Sequence, residues 1–173
     1  KLSMALIKSI SGIRGTLENI PGESLSDYDI KQFTLAYSQE IVSKESSSLV
    51  VLGRDARKSG KKISELVIKT LINDGFDILD LGLVTTPTLG ISVKHNKAAG
   101  GIMISASHND EKWNALKLLN NQGEFLTPEK VNSVIQEIER FPKKNGTGKL
   151  IKYDNALRDH IELIISQGFI NFK

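Results

Sequence analysis

A chain of 173 residues can bury one good hydrophobic core, so one domain with at most a small appendage is the expected count. Apolar residues make up 39% and charged residues 25%, fractions that suit a globular protein and exclude a disordered one. The net charge of +3 arises from 23 Lys and Arg scattered among 20 Asp and Glu, without the concentrated basic face of a nucleic-acid binder, and the absence of cysteine removes disulfides and thiolate chemistry.

Met4, after Lys1-Leu2-Ser3, reads as a natural start, and Ala5 to Ile10 as a short apolar first strand. No apolar run approaches the roughly 18 residues of a membrane span, and no signal-peptide pattern stands at the front. A cytoplasmic setting without a membrane partner is therefore expected. The strand runs into Ser11-Gly12-Ile13-Arg14-Gly15, where two glycines let the backbone turn and bring a guanidinium, a rigid donor fork suited to phosphate, to the strand's edge. The same pattern also serves as a plain turn with a solvated arginine.

Ser26 followed by Asp27 and Asp29 predicts a helix cap, and Ile30, Phe33, Tyr37 and Ile41 recur at helical spacing to about Lys44. Leu49 to Leu52 is a buried strand ending in Gly53-Arg54-Asp55-Ala56-Arg57-Lys58-Ser59. Arg54 and Arg57 there can bind anions, or Arg54 and Asp55 can pair to brace neighbouring loops, the reading favoured for Asp55. A helix follows from Lys61 to the Asn73-Asp74-Gly75 stop, then a strand over 76–83. Thr85-Thr86-Pro87-Thr88 opens a short helix, and Lys94 to Ala99 is a turn.

Gly100 leads a strand whose apolar Ile102-Met103-Ile104 breaks into Ser105-Ala106-Ser107-His108-Asn109. In open α/β sheets ligands sit beyond the carboxyl ends of the strands, where Ser107 and His108 would stand. Ser107 reads either as a covalent nucleophile or as part of an ordinary polar turn. An imidazole beside a serine also invites a hydrolase reading, but no Gly-x-Ser-x-Gly surrounds it. His95 and His160 lie in unrelated contexts, which argues against a histidine zinc site.

Leu116 to Leu119 reads as a strand with Lys117 inside it, and Thr127-Pro128 starts a helix through Arg140. Phe141 to Lys149 is the candidate linker, and Tyr153 to about Ser166 a final amphipathic helix with Ala156, Leu157, His160, Ile161 and Ile164 clustered; Ile170 and Phe172 follow. The alternation predicts an α/β fold of three layers, a mostly parallel (mixed) sheet between helices, with residues 1–150 as one domain, while 151–173, a linker helix and tail, either packs back on that core or begins a further unit.

Ser105 to Asn109 resembles the phosphoserine loop of the α-D-phosphohexomutases (phosphoglucomutases, phosphomannomutases and phosphoglucosamine mutases), usually Thr-Ala-Ser-His-Asn-Pro. Ser11 to Gly15 is similar to the family's Ser-Gly-x-Arg-Gly, Gly53 to Ser59 to its Gly-Arg-Asp-x-Arg-x-Ser, Thr86-Pro87 to its Thr-Pro, and Asn114-Ala115-Leu116-Lys117 to its Asn-Gly-x-Lys. Lys8-Ser9-Ile10, Asp110 and Ala115 depart from the usual Phe-Gly-Thr, Pro and Gly.

The resemblance implies that Ser107 carries a phosphoryl group that moves to a hexose phosphate and back, interconverting hexose 1- and 6-phosphates through a hexose 1,6-bisphosphate. It implies Lys117 as general acid/base, since arginine does not deprotonate and a lysine among cations can be shifted toward neutrality. Arg14 would neutralise charge and His108 bond substrate or phosphate, while Ser105, Asn109, Asn114, Arg54, Asp55 and Arg57 bind phosphate or organise the site. Magnesium would bridge the phosphate on Ser107 and an Asp-Gly-Asp-x-Asp-Arg loop of a second domain, a motif this sequence lacks. The likeness covers residues 5–150, the first of four domains, so the expected partners are a phosphorylated hexose and the remaining domains of one polypeptide. Alone the chain is expected to be inactive. The competing reading is a non-catalytic phosphosugar-binding or interaction module, which an acidic Asp110 beside the serine would favour.

Overall fold

In the computed structural model, residues 6–138, 140 and 146–168 are described. The expected start at Met4, most of the 141–149 linker, and Ile170 and Phe172 lie outside the described residues.

Strands β1 (Leu6–Ser9) and β2 (Gly12–Thr16) precede helix α1 (Asp27–Glu40) and a single 3₁₀ turn, Val42–Lys44. Then come β3 (Leu49–Arg54), α2 (Gly60–Asn73), β4 (Asp77–Leu83), α3 (Thr86–His95), β5 (Gly100–Ile104), β6 (Trp113–Leu119), α4 (Pro128–Gln136), β7 (Leu150–Lys152) and α5 (Ala156–Ser166). The seven strands among the described residues form one sheet in the order β1-β2-β6-β5-β3-β4-β7. Strands β5, β3, β4 and β7 are mutually parallel, while β5–β6, β6–β2 and β2–β1 pair antiparallel. The predicted mixed α/β fold is thus observed, its parallel part built from the β-α-β alternation read in the sequence.

Strand periodicity assigns the faces. Val50 and Leu52 of β3, Ile102 and Ile104 of β5, and Leu116 and Leu118 of β6 pack with Phe33 and Tyr37 of α1, Val67 and Leu71 of α2, and Val134 of α4. Val51, Met103 and Leu119 point to the opposite face, where Leu89 and Val93 of α3 and Ala156 of α5 cover them. The central strands are near-continuous apolar runs because both faces are buried. Gly53 and Gly101 let α3 close down on the sheet: an added Cβ at Gly53 would come 2.9 Å from Leu89 Cδ1, and at Gly101 2.8 Å from Val93 Cγ2. Tyr37 is fully buried and donates its hydroxyl to the Leu119 carbonyl at 2.7 Å, fixing α1 to the sheet.

The cap read at Ser26 is observed, and the two helices expected to start at Thr-Pro are capped in the same way. Ser26, Thr85 and Thr127 each accept a hydrogen bond from the backbone N–H three residues on, and Pro87 and Pro128 stand within the first two helical positions, where a missing donor costs nothing.

The differences lie at the sheet's two margins. The glycine-arginine stretch is itself a strand rather than a turn at a strand's end: Gly12, at φ 124°, turns the chain at once, and β2 pairs with β1 on one side and β6 on the other. Strand β6 begins at Trp113, three residues before Leu116, because β2 supplies its partner there. Helix α1 gives way to the 3₁₀ turn before Lys44, and α4 ends at Gln136 rather than Arg140. At the other margin Leu150 to Lys152 adds to β4 in parallel, held by Lys149 N–H to Asp77 Oδ1 at 2.7 Å and by a Lys152–Asp80 ion pair. Helix α5 buries only Ala156, leaving Leu157 and Ile161 59% and 48% exposed.

Candidate active site

Five strands, β2, β5, β3, β4 and β7, point the same way, so the ends of β3 and β5 and the start of β6 meet at one edge of the sheet. The loop from Ser105 to Lys112 bridges β5 to β6 there. Its first residue stays tied to the sheet, Ser105 N–H donating to the Ala115 carbonyl at 3.1 Å. Ser107 then takes a left-handed backbone, φ 55°, which costs a side-chain-bearing residue on the order of 1–2 kcal/mol. Its N–H donates to Ser105 Oγ at 3.2 Å, a local bond that helps offset that cost.

Lys117 lies within β6 between Leu116 and Leu118, whose side chains enter the α1/α2/α4 core, so alternation turns Lys117 to the opposite face. From there its Nζ donates to Ser107 Oγ at 2.7 Å. The side chain is 8% exposed. Burial chiefly, and then the Arg14 guanidinium, hold its pKa below the ordinary lysine value of 10.5, while Asp55 acts weakly the other way. A largely buried amine that donates to a serine hydroxyl, its pKa lowered from the ordinary lysine value, is placed to exchange a proton with that oxygen.

Arg14 reaches the same place from β2. It sits opposite Ala115, on the same sheet face as Lys117, and its Nη1 donates to Asn109 Oδ1 at 3.0 Å. Its Nε–H is buried without an acceptor among the described residues. An arginine that steadies the loop through Asn109 and retains an unused donor is equipped to hold an anion.

Arg57 is the loop's main tether. Its guanidinium donates to the carbonyl oxygens of Ser107 (3.0 Å), Trp113 (3.2 Å), Asn109 and Asp110, and Asp55 aims it by an ion pair at Nε of 3.2 Å and a 3.0 Å bond from the Arg57 N–H. The Asp55 carboxylate therefore holds Arg57, and through it the loop, rather than pairing with Arg54. Arg54 instead lies over Gly60 on the α2 side of the sheet, with Nη1 on the Asp55 carbonyl at 3.3 Å. Asn114 also faces α2: wholly buried, it donates to Ser59 Oγ at 2.8 Å. Ser107, Lys117, Arg14, Asn109, Ser105, Asp55 and Arg57 thus form one connected group, and Arg54 and Asn114 support it from the other face. His108 is exposed at the loop tip.

Two contributors were not singled out as site residues in the sequence. Ser59, which anchors Asn114, stands inside the Gly-Arg-Asp stretch. Asp110 accepts the Lys112 N–H on Oδ1 at 2.9 Å, and its carboxylate is thereby engaged in the loop's own turn. The signal was an Asp two residues before a lysine at a strand entry, a common turn opening. A cleft of about 480 Å³ lined by Leu17, Glu18, Lys58, Ser59, Glu111 and Lys112 flanks the loop and includes neither Ser107 nor Lys117.

Residues 7–145 match the family model described as phosphoglucomutase/phosphomannomutase, α/β/α domain I. The phosphoglucosamine mutase of Methanococcus vannielii is 34% identical over 143 residues, covering 80% of this chain and 31% of its own. The phosphoglucomutase/phosphomannomutase of Thermococcus kodakarensis is 37% identical over 121 residues, covering 67% of this chain and 26% of its own. Among solved structures, a phosphoglucomutase/phosphomannomutase family protein from Burkholderia thailandensis superposes with a TM-score of 0.76 at 21% identity, over 96% of this chain and 36% of the other, a likeness of fold. The chain therefore spans about a third or less of the length of the curated relatives it matches.

Proposed function

The chain belongs to the phosphoglucomutase/phosphomannomutase family, of which it carries the α/β/α domain I, and from that premise we propose that it supplies the phosphoserine of a phosphohexomutase, an intramolecular phosphotransferase of the isomerase class. The observation that carries the reading is the 2.7 Å bond from Lys117 Nζ to Ser107 Oγ, made by a lysine whose pKa is lowered.

In the proposed reaction the phosphoryl group rests on Ser107 Oγ. A hydroxyl oxygen of the hexose phosphate attacks phosphorus, and the P–Oγ bond breaks with its electron pair going to Oγ. Lys117 gives Oγ a proton, and the proton lost by the attacking hydroxyl restores the lysine, so the exchange is proton-neutral. In the second half-reaction Ser107 Oγ attacks the other phosphate of the hexose 1,6-bisphosphate, the bond from that phosphorus to the sugar oxygen breaks with its electron pair going to that oxygen, and Lys117 gives the sugar oxygen a proton and takes the serine proton in exchange, so this half is proton-neutral as well. Storing the group on serine divides one exchange into two easier displacements. Arg14, with its spare buried Nε–H, faces the charge on the phosphoryl oxygens, where a fixed donor is most effective because it needs no reorganisation. Arg57 and Asp55 keep the loop, and hence Oγ, in place for in-line attack.

Magnesium enters the proposal only through a phosphate on Ser107. Among the described residues no group of three or more His, Cys, Asp or Glu is disposed to hold a metal ion, and the side chain bonded to Ser107 Oγ is the amine of Lys117, with the Arg14 guanidinium acting on that lysine. These residues do not make a magnesium cage by themselves, so no step here is routed through the ion. The Asp110 carboxylate, the feature that favoured a non-catalytic module, is tied to the Lys112 amide.

Phosphopeptide mass spectrometry of the full-length protein is expected to find phosphate on Ser107, and Ser107→Ala to abolish turnover of hexose 1-phosphate. Full activity in that variant would overturn the reading.

A further inference from the structure

The turn that returns the phosphoserine loop to the sheet rests on a residue without an assigned role. Asp110 Oδ1 accepts the Lys112 N–H at 2.9 Å, and the Asp110 carbonyl accepts the Trp113 N–H at 3.2 Å. Together they close an Asx turn inside a β-turn, an arrangement aspartate favours at the first position. The two carbonyls that bound this turn, those of Asp110 and Trp113, both receive Nη1 of Arg57, whose Nη2 holds the carbonyls of Ser107 and Asn109. One guanidinium thus reads the turn on one side and the left-handed serine on the other. If the turn opens, two of its four acceptors move, and the other two position Ser107.

We propose that Asp110 is a positioning residue for Ser107, closing through its side chain the turn that keeps the Arg57 tether engaged and Ser107 Oγ within reach of Lys117. A proline at this place would stiffen the loop by fixing its own φ; aspartate achieves the same constraint with a side-chain acceptor. The Asp110 N–H makes no hydrogen bond to any described residue, so its loss in a proline variant removes no internal bond. The positioning of Ser107 for transfer rests on the phosphoserine reading above, whereas the turn itself does not.

The test uses the full-length protein with Asp110→Ala, Asp110→Asn and Asp110→Pro, reading amide exchange at Lys112 and Trp113 beside steady-state kinetics with hexose 1-phosphate. Asp110→Ala should speed Lys112 exchange and lower kcat about tenfold with KM changed less than about twofold, the pattern of a misplaced reacting group. Asp110→Asn keeps the acceptor and should stay within about twofold of the parent in both readouts, and Asp110→Pro should recover most of the kcat lost in Asp110→Ala. Parental exchange and kcat in Asp110→Ala would overturn the proposal, as would Asn or Pro variants no better than Ala. Loss of the phosphoserine reading is seen separately, as full activity of Ser107→Ala, and leaves the exchange result to decide the turn.

Discussion

Lys117 joins the site's chemistry to the stability of the fold. Burial and the Arg14 charge disfavour its ammonium, so its folded pKa lies below the 10.5 of an unperturbed lysine, and the unfolded chain holds that proton more tightly. Below the folded pKa this opposes folding in full; as pH rises through the interval up to 10.5 the opposition fades. Lys117→Met, which removes the charge and keeps the stem, is therefore expected to raise resistance to urea at neutral pH and to lose that advantage toward pH 10.5. A gain independent of pH would contradict the assignment. In the full-length enzyme the same variant should lower kcat by about 10²- to 10⁴-fold, the range for a lost acid/base group. Lys117→Arg should be similarly impaired, since arginine keeps its proton.

At the scale of elements, the β1–β2 hairpin is what brings Arg14 beside Lys117, and it depends on Gly12. The residue sits at φ 124°, and a Cβ there would meet the Leu116 carbonyl oxygen at 2.8 Å and Lys117 Cγ at 3.3 Å. Gly12→Ala is expected to cost about 1–3 kcal/mol in urea denaturation and to disturb the site through β6. Gly22→Ala is its control: φ is also positive, at 77°, but nothing lies within 4 Å, so only the backbone term of about 1–2 kcal/mol applies. Equal losses at the two positions would show that the contact with β6 is unimportant. The hairpin also marks where the sequence was least legible. The helix cap at Ser26, the helix starts at Thr86-Pro87 and Thr127-Pro128, and the buried runs of β3 and β5 are local signals and are readable as such. The pairing of β2 with β6 is a contact between residues about 100 apart in sequence, invisible to local periodicity, so Arg14 read as a loop residue when it lies inside a strand. Edge strand β7 was missed for a related reason: three exposed residues carry little alternation, and their place is fixed by Asp77 and Asp80 of β4. In the site, residue types were legible but facing was not. Asn114 and Lys117 belong to one motif, yet a three-residue separation along a strand sends them to opposite faces, one to Ser59 and the other to Ser107.

For the whole molecule, the question is what this domain can accomplish unaided. It presents a serine, a lysine that can move a proton and arginines that can meet phosphate, all at one sheet edge. Under the proposed reading that set holds the phosphoryl group, whereas turning a hexose over between its two phosphate positions would further require contacts to the sugar ring and to the phosphate that stays behind. The curated relatives are about three to four times as long as the stretch they share with this chain, and α5 leaves Leu157 and Ile161 largely exposed beyond the last strand. Both facts fit a first domain that shares its active site with others. The 173 residues alone, incubated with hexose 1-phosphate, hexose 1,6-bisphosphate and magnesium, are therefore expected to give no sustained formation of hexose 6-phosphate, while the full-length protein does so under the same conditions. A coupled assay for hexose 6-phosphate distinguishes the outcomes. Sustained turnover by the 173 residues would mean that the edge bearing Ser107 binds the sugar and reorients the bisphosphate on its own, and the shared-site proposal would fall.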